Sequence, residues 1–334
     1  MIRARLSQRR ASAPVSLVGF GCGPRAQLMV SSDYGLQRET IQRAFEMGIS
    51  FFDTSPIYGD GTSERNLGRA LSDLGVGSEA VISTKLALSR DWTANEIQSS
   101  LQRSLDRLKR DRLDVVLLHN RVESSRGEVG LDGSVPGPPL LVEQLLGQVG
   151  VLHVLESARA AGIVGLIGLT TFGSEMGAVR TVLAESDVVD LVTVEHNLLT
   201  AYAGDTTFAP DAPWRRSTEL IQFAHDCGLG VLGLRPLAGQ LLTGVAADAG
   251  GPVDSSVPGS AAWSRRISDA CAAAGCSVVE AAWRFAAASG PVASVLGGFR
   301  DISDMEQAVS GATGNAAIEA ALRVIDADQT DIVR

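Results

Sequence analysis

Lysine is almost missing from this chain. Of 29 basic residues 27 are arginine, and Lys85 and Lys109 are the only lysines. A sequence that uses arginine wherever a fixed positive charge will do keeps a lysine where a pKa must move, which arginine cannot supply. Cysteine is scarce too: Cys22, Cys227, Cys271 and Cys276 form no Cys-x-x-Cys pair in 334 residues. That excludes a disulfide-built scaffold and predicts reduced thiols in a cytoplasmic compartment. His153, His196 and His225 have no cysteine or carboxylate at metal-ligand spacing, so no metal is expected. No apolar run reaches the roughly 18–20 residues of a membrane span. The basic start, residues 1–14, leads into no long apolar segment, so neither a membrane partner nor a secretory leader is expected. Positive charge is not in excess: the net charge is −9, which argues against a generic nucleic-acid binder. No fixed sequence period marks a repeat array.

What is present is apolar and regularly punctuated. Hydrophobic residues make up 45% and charged residues 20%, enough for a sizeable core and too little charge for general disorder. Eight short apolar runs occupy residues 15–20, 50–52, 80–84, 113–118, 164–169, 189–194, 229–234 and 293–296. They read as strands buried on both faces. Helical patterns alternate with them at residues 38–47, 64–74, 93–108, 143–161, 174–185, 216–227, 278–288 and 303–309, with a doubtful stretch at 147–150. Thr93-Ala-Asn-Glu96 is a capping box at one start. Eight strands alternating with eight helices predict an α/β fold, one (β/α)8 barrel over residues 1–334. The competing doubly wound sheet needs a Gly-x-Gly-x-x-Gly turn after its first strand. Here Gly19-Phe-Gly21-Cys-Gly23-Pro24 puts proline where the third glycine belongs. The longest irregular stretches, 120–139, 203–214 and 244–260, all emerge on the C-terminal face, where barrel active sites sit.

Four polar residues fall at or just past strand ends: Asp53 after the second run, Tyr58 five residues on, Lys85 after the third and His119 after the fourth. Neighbouring strands lie about 4.8 Å apart, so these side chains converge. A lysine ending an apolar strand loses solvent and needs an anion, which Asp53 supplies. The remaining positive potential is expected to lower the Tyr58 phenol from about 10. A phenol so tuned gives a proton to a developing alkoxide or takes one in reverse. A neutral His119 orients the same oxygen. That suits carbonyl–alcohol interconversion with a cofactor supplying hydride. Trp92 and Asn120 are weaker candidates to line the substrate pocket.

Residues 48–71, Gly-Ile-Ser-Phe-Phe-Asp-Thr-Ser-Pro-Ile-Tyr-Gly-Asp-Gly-Thr-Ser-Glu-Arg-Asn-Leu-Gly-Arg-Ala-Leu, strongly resemble the aldo-keto reductase signature. The resemblance runs in the same element order from about residue 14 to 310. It is nearest to the sugar-dehydrogenase branch, that of L-galactose, L-fucose and D-threo-aldose dehydrogenases, through Arg235-Pro236-Leu237-Ala238 and Ser294-Val295-Leu296-Gly297-Gly298. It implies Tyr58 as general acid/base, Lys85 and Asp53 as its tuning pair and His119 as the substrate-orienting residue. It also implies NADP or NAD, with NADP slightly favoured, laid across the barrel mouth. Gly21 and Cys22 would bind it in the loop after strand one, and Thr170 and Thr193 stand at the nicotinamide. Leu234, Arg235, Pro236, Leu237, Gly239 and Leu241 form the loop for the pyrophosphate and nicotinamide. Gly298, Arg300 and Asp304 hold the adenosine end. The cofactor positions depart from the usual pattern: Thr170-Thr171 replaces Ser-Asn, Thr193 replaces Gln, and Leu234 replaces a stacking aromatic. The partner is a small carbonyl or alcohol substrate. Two alternatives stay open on the same barrel, a nucleotide-binding regulatory protein and a non-redox, elimination-type enzyme.

Overall fold

A computed structural model describes residues 2–125, 137–199, 217–243 and 260–332. Eight parallel strands close into a barrel in the order β10–β11–β12–β3–β4–β5–β6–β9. They are β3 (Val18–Gly21), β4 (Phe51–Asp53), β5 (Val81–Leu86), β6 (Leu113–Leu118), β9 (Val164–Thr170), β10 (Leu191–Glu195), β11 (Gly230–Leu234) and β12 (Ser294–Gly298). Each corresponds to one of the eight apolar runs. The barrel strands are apolar on both faces because both are covered. Phe51, Val115, Leu117, Leu166, Leu191, Leu232 and Leu296 fill the interior. Phe52, Val116, Leu118, Ile167, Val192 and Val231 belong to the larger core under the helices.

The first apolar run is not one strand. It divides into β2 (Pro14–Ser16) and β3, because residues 14–16 pair antiparallel with β1 (Arg3–Arg5). This hairpin closes the N-terminal end of the barrel, with Leu6 and Val15 in the interior cluster. The basic start of the chain is consumed there. Arg9 donates to the carbonyls of Cys227 (2.7 Å) and Ser186 (3.0 Å), and Arg10 pairs with buried Asp190 at 2.9 Å.

The helices are α1 (Tyr34–Glu46), α2 (Thr62–Leu74), α3 (Ala94–Leu108), α4 (Val142–Leu146), α5 (Val151–Ala160), α6 (Met176–Glu185), α7 (Ser217–Asp226), α8 (Ser260–Ala274), α9 (Val278–Ala288), α10 (Ile302–Thr313) and α11 (Ala316–Ile332). The pattern at 143–161 breaks into α4 and α5 across Gly147 and Gly150. Only half of the expected capping box forms. Thr93 Oγ1 accepts from Glu96 N, while the Glu96 carboxylate takes the Ser89 hydroxyl at 3.1 Å. Two helices, α8 and α11, lie beyond the expected eight. Trp263 and Ile267 of α8 meet Ile318 and Ile325 of α11 in a satellite core with Ala238 and Leu242, so this pair braces the segment after β11. The stretch 203–214, most of 244–260 and the centre of 120–139 lie outside the described residues. Among the described residues no helix is long and apolar enough to cross a membrane.

Candidate active site

Strands β4, β5 and β6 are neighbours, and their C-terminal ends bring Asp53, Lys85 and His119 together. Lys85 Nζ donates to Asp53 Oδ2 at 2.6 Å and to the Thr54 carbonyl at 2.9 Å. The second carboxylate oxygen, Oδ1, accepts from Ser83 Oγ at 2.7 Å. Lys85 and Asp53 are both buried, so the ion pair is held in a low-dielectric site with every oxygen used. Tyr58 stands over it: Lys85 Nζ lies 4.8 Å from the centre of the phenol ring. The His119 ring meets the Tyr58 ring edge-on, 6.3 Å between centres at 82°. His119 N donates to the Leu86 carbonyl at 2.8 Å, and His119 Nδ1 lies 3.5 Å from Ser55 Oγ.

The local sequence dictates Tyr58's position. Tyr58 N donates to the Ser55 carbonyl, closing a turn. Gly59 (φ 58), Asp60 (φ 52) and Gly61 (φ 75) then take left-handed backbone, which glycine adopts at no steric cost, and deliver the chain into α2. That helix is locked to the barrel. Ser63 Oγ donates to the Cys22 carbonyl at 2.9 Å, and fully buried Glu64 accepts from Thr84 Oγ1 and Arg107 Nε. These supports, with Ser55 and Ser83, escaped sequence reading. Their one signal is short polar residues inside apolar strands, as in Val81-Ile82-Ser83-Thr84-Lys85.

The electrostatics of the four differ from expectation at one place. Burial pushes the Tyr58 hydroxyl up, Lys85 pulls it down, and burial wins, so its pKa lies above 10 rather than below. Desolvation by the packed mouth is the term that charge counting omits. Burial opposes the charge on Lys85, but Asp53 and then Tyr58 outweigh it and leave Lys85 raised and protonated. Burial, followed by the Lys85 charge, pushes His119 down to about 2. His119 is therefore neutral throughout the working pH range.

The positions expected to bind cofactor lie along the other half of the mouth. Gly21 ends β3 between Asp53 and Gly298 in register, and a Cβ there would sit 3.0 Å from the Gly297 carbonyl oxygen. Cys22 is buried, its N–H donating to the Asp53 carbonyl and its thiol pushed up by burial. Thr170 Oγ1 donates to the Leu118 carbonyl (2.9 Å) and Thr171 Oγ1 to the Thr193 carbonyl (2.7 Å). The Thr193 hydroxyl oxygen is buried without a hydrogen-bond partner among the described residues. Leu234 ends β11. Arg235 (φ 54), Ala238 (φ 50), Gly239 (φ 66) and Gln240 (φ 87) then turn the chain through left-handed conformations, with Pro236 buried and Leu237 and Leu241 half-buried. The Arg235 guanidinium stacks on Phe172 at 4.1 Å and stands 3.7 Å from Glu195. Burial raises the Glu195 pKa, opposed by Arg235. Gly298 is exposed at the end of β12. Arg300 is exposed and forked onto Asp304, Nε to Oδ2 at 2.8 Å and Nη2 to Oδ1 at 2.9 Å. That pairing holds the Asp304 carboxyl below its usual range. Trp92 is half-buried against the main core. Asn120 is fully buried as a clamp: Nδ2 donates to the Leu88 and Pro138 carbonyls, and Oδ1 accepts from Leu88 N. Among the described residues no three His, Cys, Asp or Glu side chains are grouped to hold a metal.

The closed parallel barrel brings a tyrosine, a buried lysine–aspartate pair and a histidine of lowered pKa together at its C-terminal mouth. Residues 20–314 match the Aldo/keto reductase family, and the chain belongs to that family, whose members are oxidoreductases using NAD(P)H. L-galactose dehydrogenase from Arabidopsis thaliana is 28% identical over 307 residues, 90% of this chain and 85% of that protein. D-threo-aldose 1-dehydrogenase from a Pseudomonas species is 26% identical over 211 residues, 55% of this chain and 57% of the other. Among solved structures, glycerol dehydrogenase AKR11B4 from Gluconobacter oxydans superposes with a TM-score of 0.67 at 20% identity, covering 97% of this chain and 94% of that one. The holo form of aldo-keto reductase AKR11C1 from Bacillus halodurans gives 0.68 at 17% identity, covering 97% and 96%.

Proposed function

We propose that the protein is an NAD(P)-dependent oxidoreductase that interconverts a carbonyl and an alcohol by hydride transfer, with Tyr58 as the general acid/base. The observation that carries this reading is the Asp53–Lys85 pair at 2.6 Å beneath the Tyr58 ring. Similarity to sugar dehydrogenases over most of the chain supports a polyhydroxylated substrate.

The residues of the second half of the mouth fit a nicotinamide dinucleotide. The orphaned Thr193 hydroxyl suits a carboxamide, which both donates and accepts. Gly21 and Gly298 lack side chains where the backbone closes on Gly297 and Ala26, so they present bare backbone at the loop edges. Arg235 offers in-plane N–H groups to an anion while its face rests on Phe172. The bound nicotinamide supplies or accepts the hydride. Everything else falls to the chain. His119, neutral, hydrogen-bonds the substrate oxygen. Tyr58, protonated at neutral pH, delivers a proton to that oxygen as a carbonyl is reduced and removes one as an alcohol is oxidised. Lys85 stabilises the tyrosinate formed in reduction, and Asp53 fixes Lys85 in place.

Tyr58→Phe tests this directly. The variant should bind NADPH or NADH as the parent does, read by tryptophan fluorescence, and lose about 10²–10⁴-fold in turnover followed at 340 nm. Turnover near the parent rate removes Tyr58 from the mechanism.

A further inference from the structure

Only two cations are buried among the described residues, Lys85 and Arg121, and four buried carboxylates accompany them: Asp53, Glu64, Glu123 and Asp190. Asp53 pairs with Lys85, Glu64 with Arg107, and Asp190 with Arg10 and Arg159. Arg121 and Glu123 are left over. Arg121 is 5% exposed and Glu123 5%. Arg121 Nε and Glu123 Oε2 are fully buried without a hydrogen-bond partner, and no ion pair within 4.0 Å joins them to each other or to another described residue. A buried charge without a partner is unfavourable, and the chain carries two of opposite sign two residues apart.

Their place gives this meaning. Arg121 follows His119 by two residues, so their Cα atoms are within about 7 Å of each other. The backbone that carries them is held rigidly at the mouth. Residues Val122–Glu123 form β7, paired with β8 (Leu140–Leu141). Arg121 O accepts from Leu140 N (2.8 Å), Val122 N donates to Ser174 Oγ (2.9 Å) and Val122 O accepts from Glu175 N (2.8 Å). These unpaired charges sit on a fixed frame two and four residues past His119, where partners from the protein are missing and a ligand could supply them.

We propose that Arg121 and Glu123 recognise the substrate, and that it is a carbonyl compound bearing a carboxylate and hydroxyl groups. The Arg121 fork takes the carboxylate, and Glu123 accepts from a hydroxyl. One cation beside one anion suits a monoanion with a hydroxyl donor and disfavours a phosphate dianion. This deepens the oxidoreductase reading and rests on it for the carbonyl.

Matched probes separate the two claims. The full chain is titrated with 4-carboxybenzaldehyde and with its methyl ester, methyl 4-formylbenzoate, followed by saturation-transfer NMR. The parent should bind the carboxylate at least tenfold more tightly than the ester. Arg121→Gln should erase that preference by weakening the carboxylate alone, and should leave Tm unchanged or raised, because a buried unpaired charge is gone. Equal binding of both aldehydes by the parent, no binding of either, an unchanged preference in Arg121→Gln, or a fall in Tm overturns the proposal. The ester followed at 340 nm tests the redox reading by itself. Its turnover by both proteins upholds that reading even if Arg121 fails. Carboxylate-selective binding without turnover of either aldehyde upholds Arg121 while the redox reading falls.

Discussion

The two halves of the barrel mouth hold their polar groups in opposite ways. At the ends of β4 and β5, Asp53 and Lys85 find partners at 2.6–2.9 Å within the protein, and the network is complete before any ligand arrives. From β9 round to β12 the polar groups are either spent on the scaffold or left waiting. Thr170 and Thr171 are turned to strand carbonyls, Arg300 is forked onto Asp304, and the Thr193 hydroxyl has no partner. The first half is preorganised for a chemical step, since its charges need no rearrangement when the reaction begins. The second, on the proposed function, exchanges internal contacts for contacts to a dinucleotide. Substitutions in the first half should therefore strike turnover, and those in the second should move binding.

The sharpest way to break that contrast is Lys85→Met. It strands Asp53 in a buried site, where loss of one partner costs about 3–5 kcal/mol of stability. It also removes the cation proposed to stabilise tyrosinate. Turnover should fall about 10²–10⁴-fold, with the Kd for cofactor little changed. A variant that keeps kcat at saturating cofactor while its Kd for cofactor rises would place Lys85 in the binding half.

Asp304→Ala should give the smaller, complementary effect. Asp304 occupies the Nε–Nη2 edge of the Arg300 guanidinium, and freeing that edge should tighten NADPH relative to NADH by roughly tenfold, the size of one charge-assisted hydrogen bond. The cofactor titration reads it directly, with kcat unmoved. No change in the NADPH-to-NADH ratio would remove Arg300 from the 2′-phosphate site.

Much of this was legible in the residues themselves, for identifiable reasons. Parallel barrel strands are apolar on both faces, so eight short runs mark them, and a charge ending such a run, as Asp53 and Lys85 do, stands out. The split of residues 15–20 was hidden because Val15 and Val18 are equally apolar, and only pairing with Arg3–Arg5 separates their strands. Helices α8 and α11 were hidden because each is alanine-rich with few large apolar residues, and each finds its partner some fifty residues away. The direction of the Tyr58 shift needed the packing, since a sequence shows the lysine but not the desolvation that exceeds it. Nothing in the sequence singles out Arg121 and Glu123 after His119. That they are the buried charges without an ion pair among the described residues is a property of the assembled mouth.

The measurement that bears most directly on the proton chemistry is the pH dependence of both directions at saturating cofactor. Tyr58 is held above its ordinary pKa and His119 is pushed down to about 2, so in the proposed mechanism only Tyr58 changes charge in the proton-transfer step. Alcohol oxidation needs the phenol as a base. Its rate should climb about tenfold per pH unit from neutral and level off only above pH 10, while carbonyl reduction stays flat and declines only in that same high range. Neither profile should bend near pH 6.5. An inflection between pH 6 and 7 that disappears in His119→Asn would show a titrating histidine in the step and would contradict Tyr58 as its sole proton carrier.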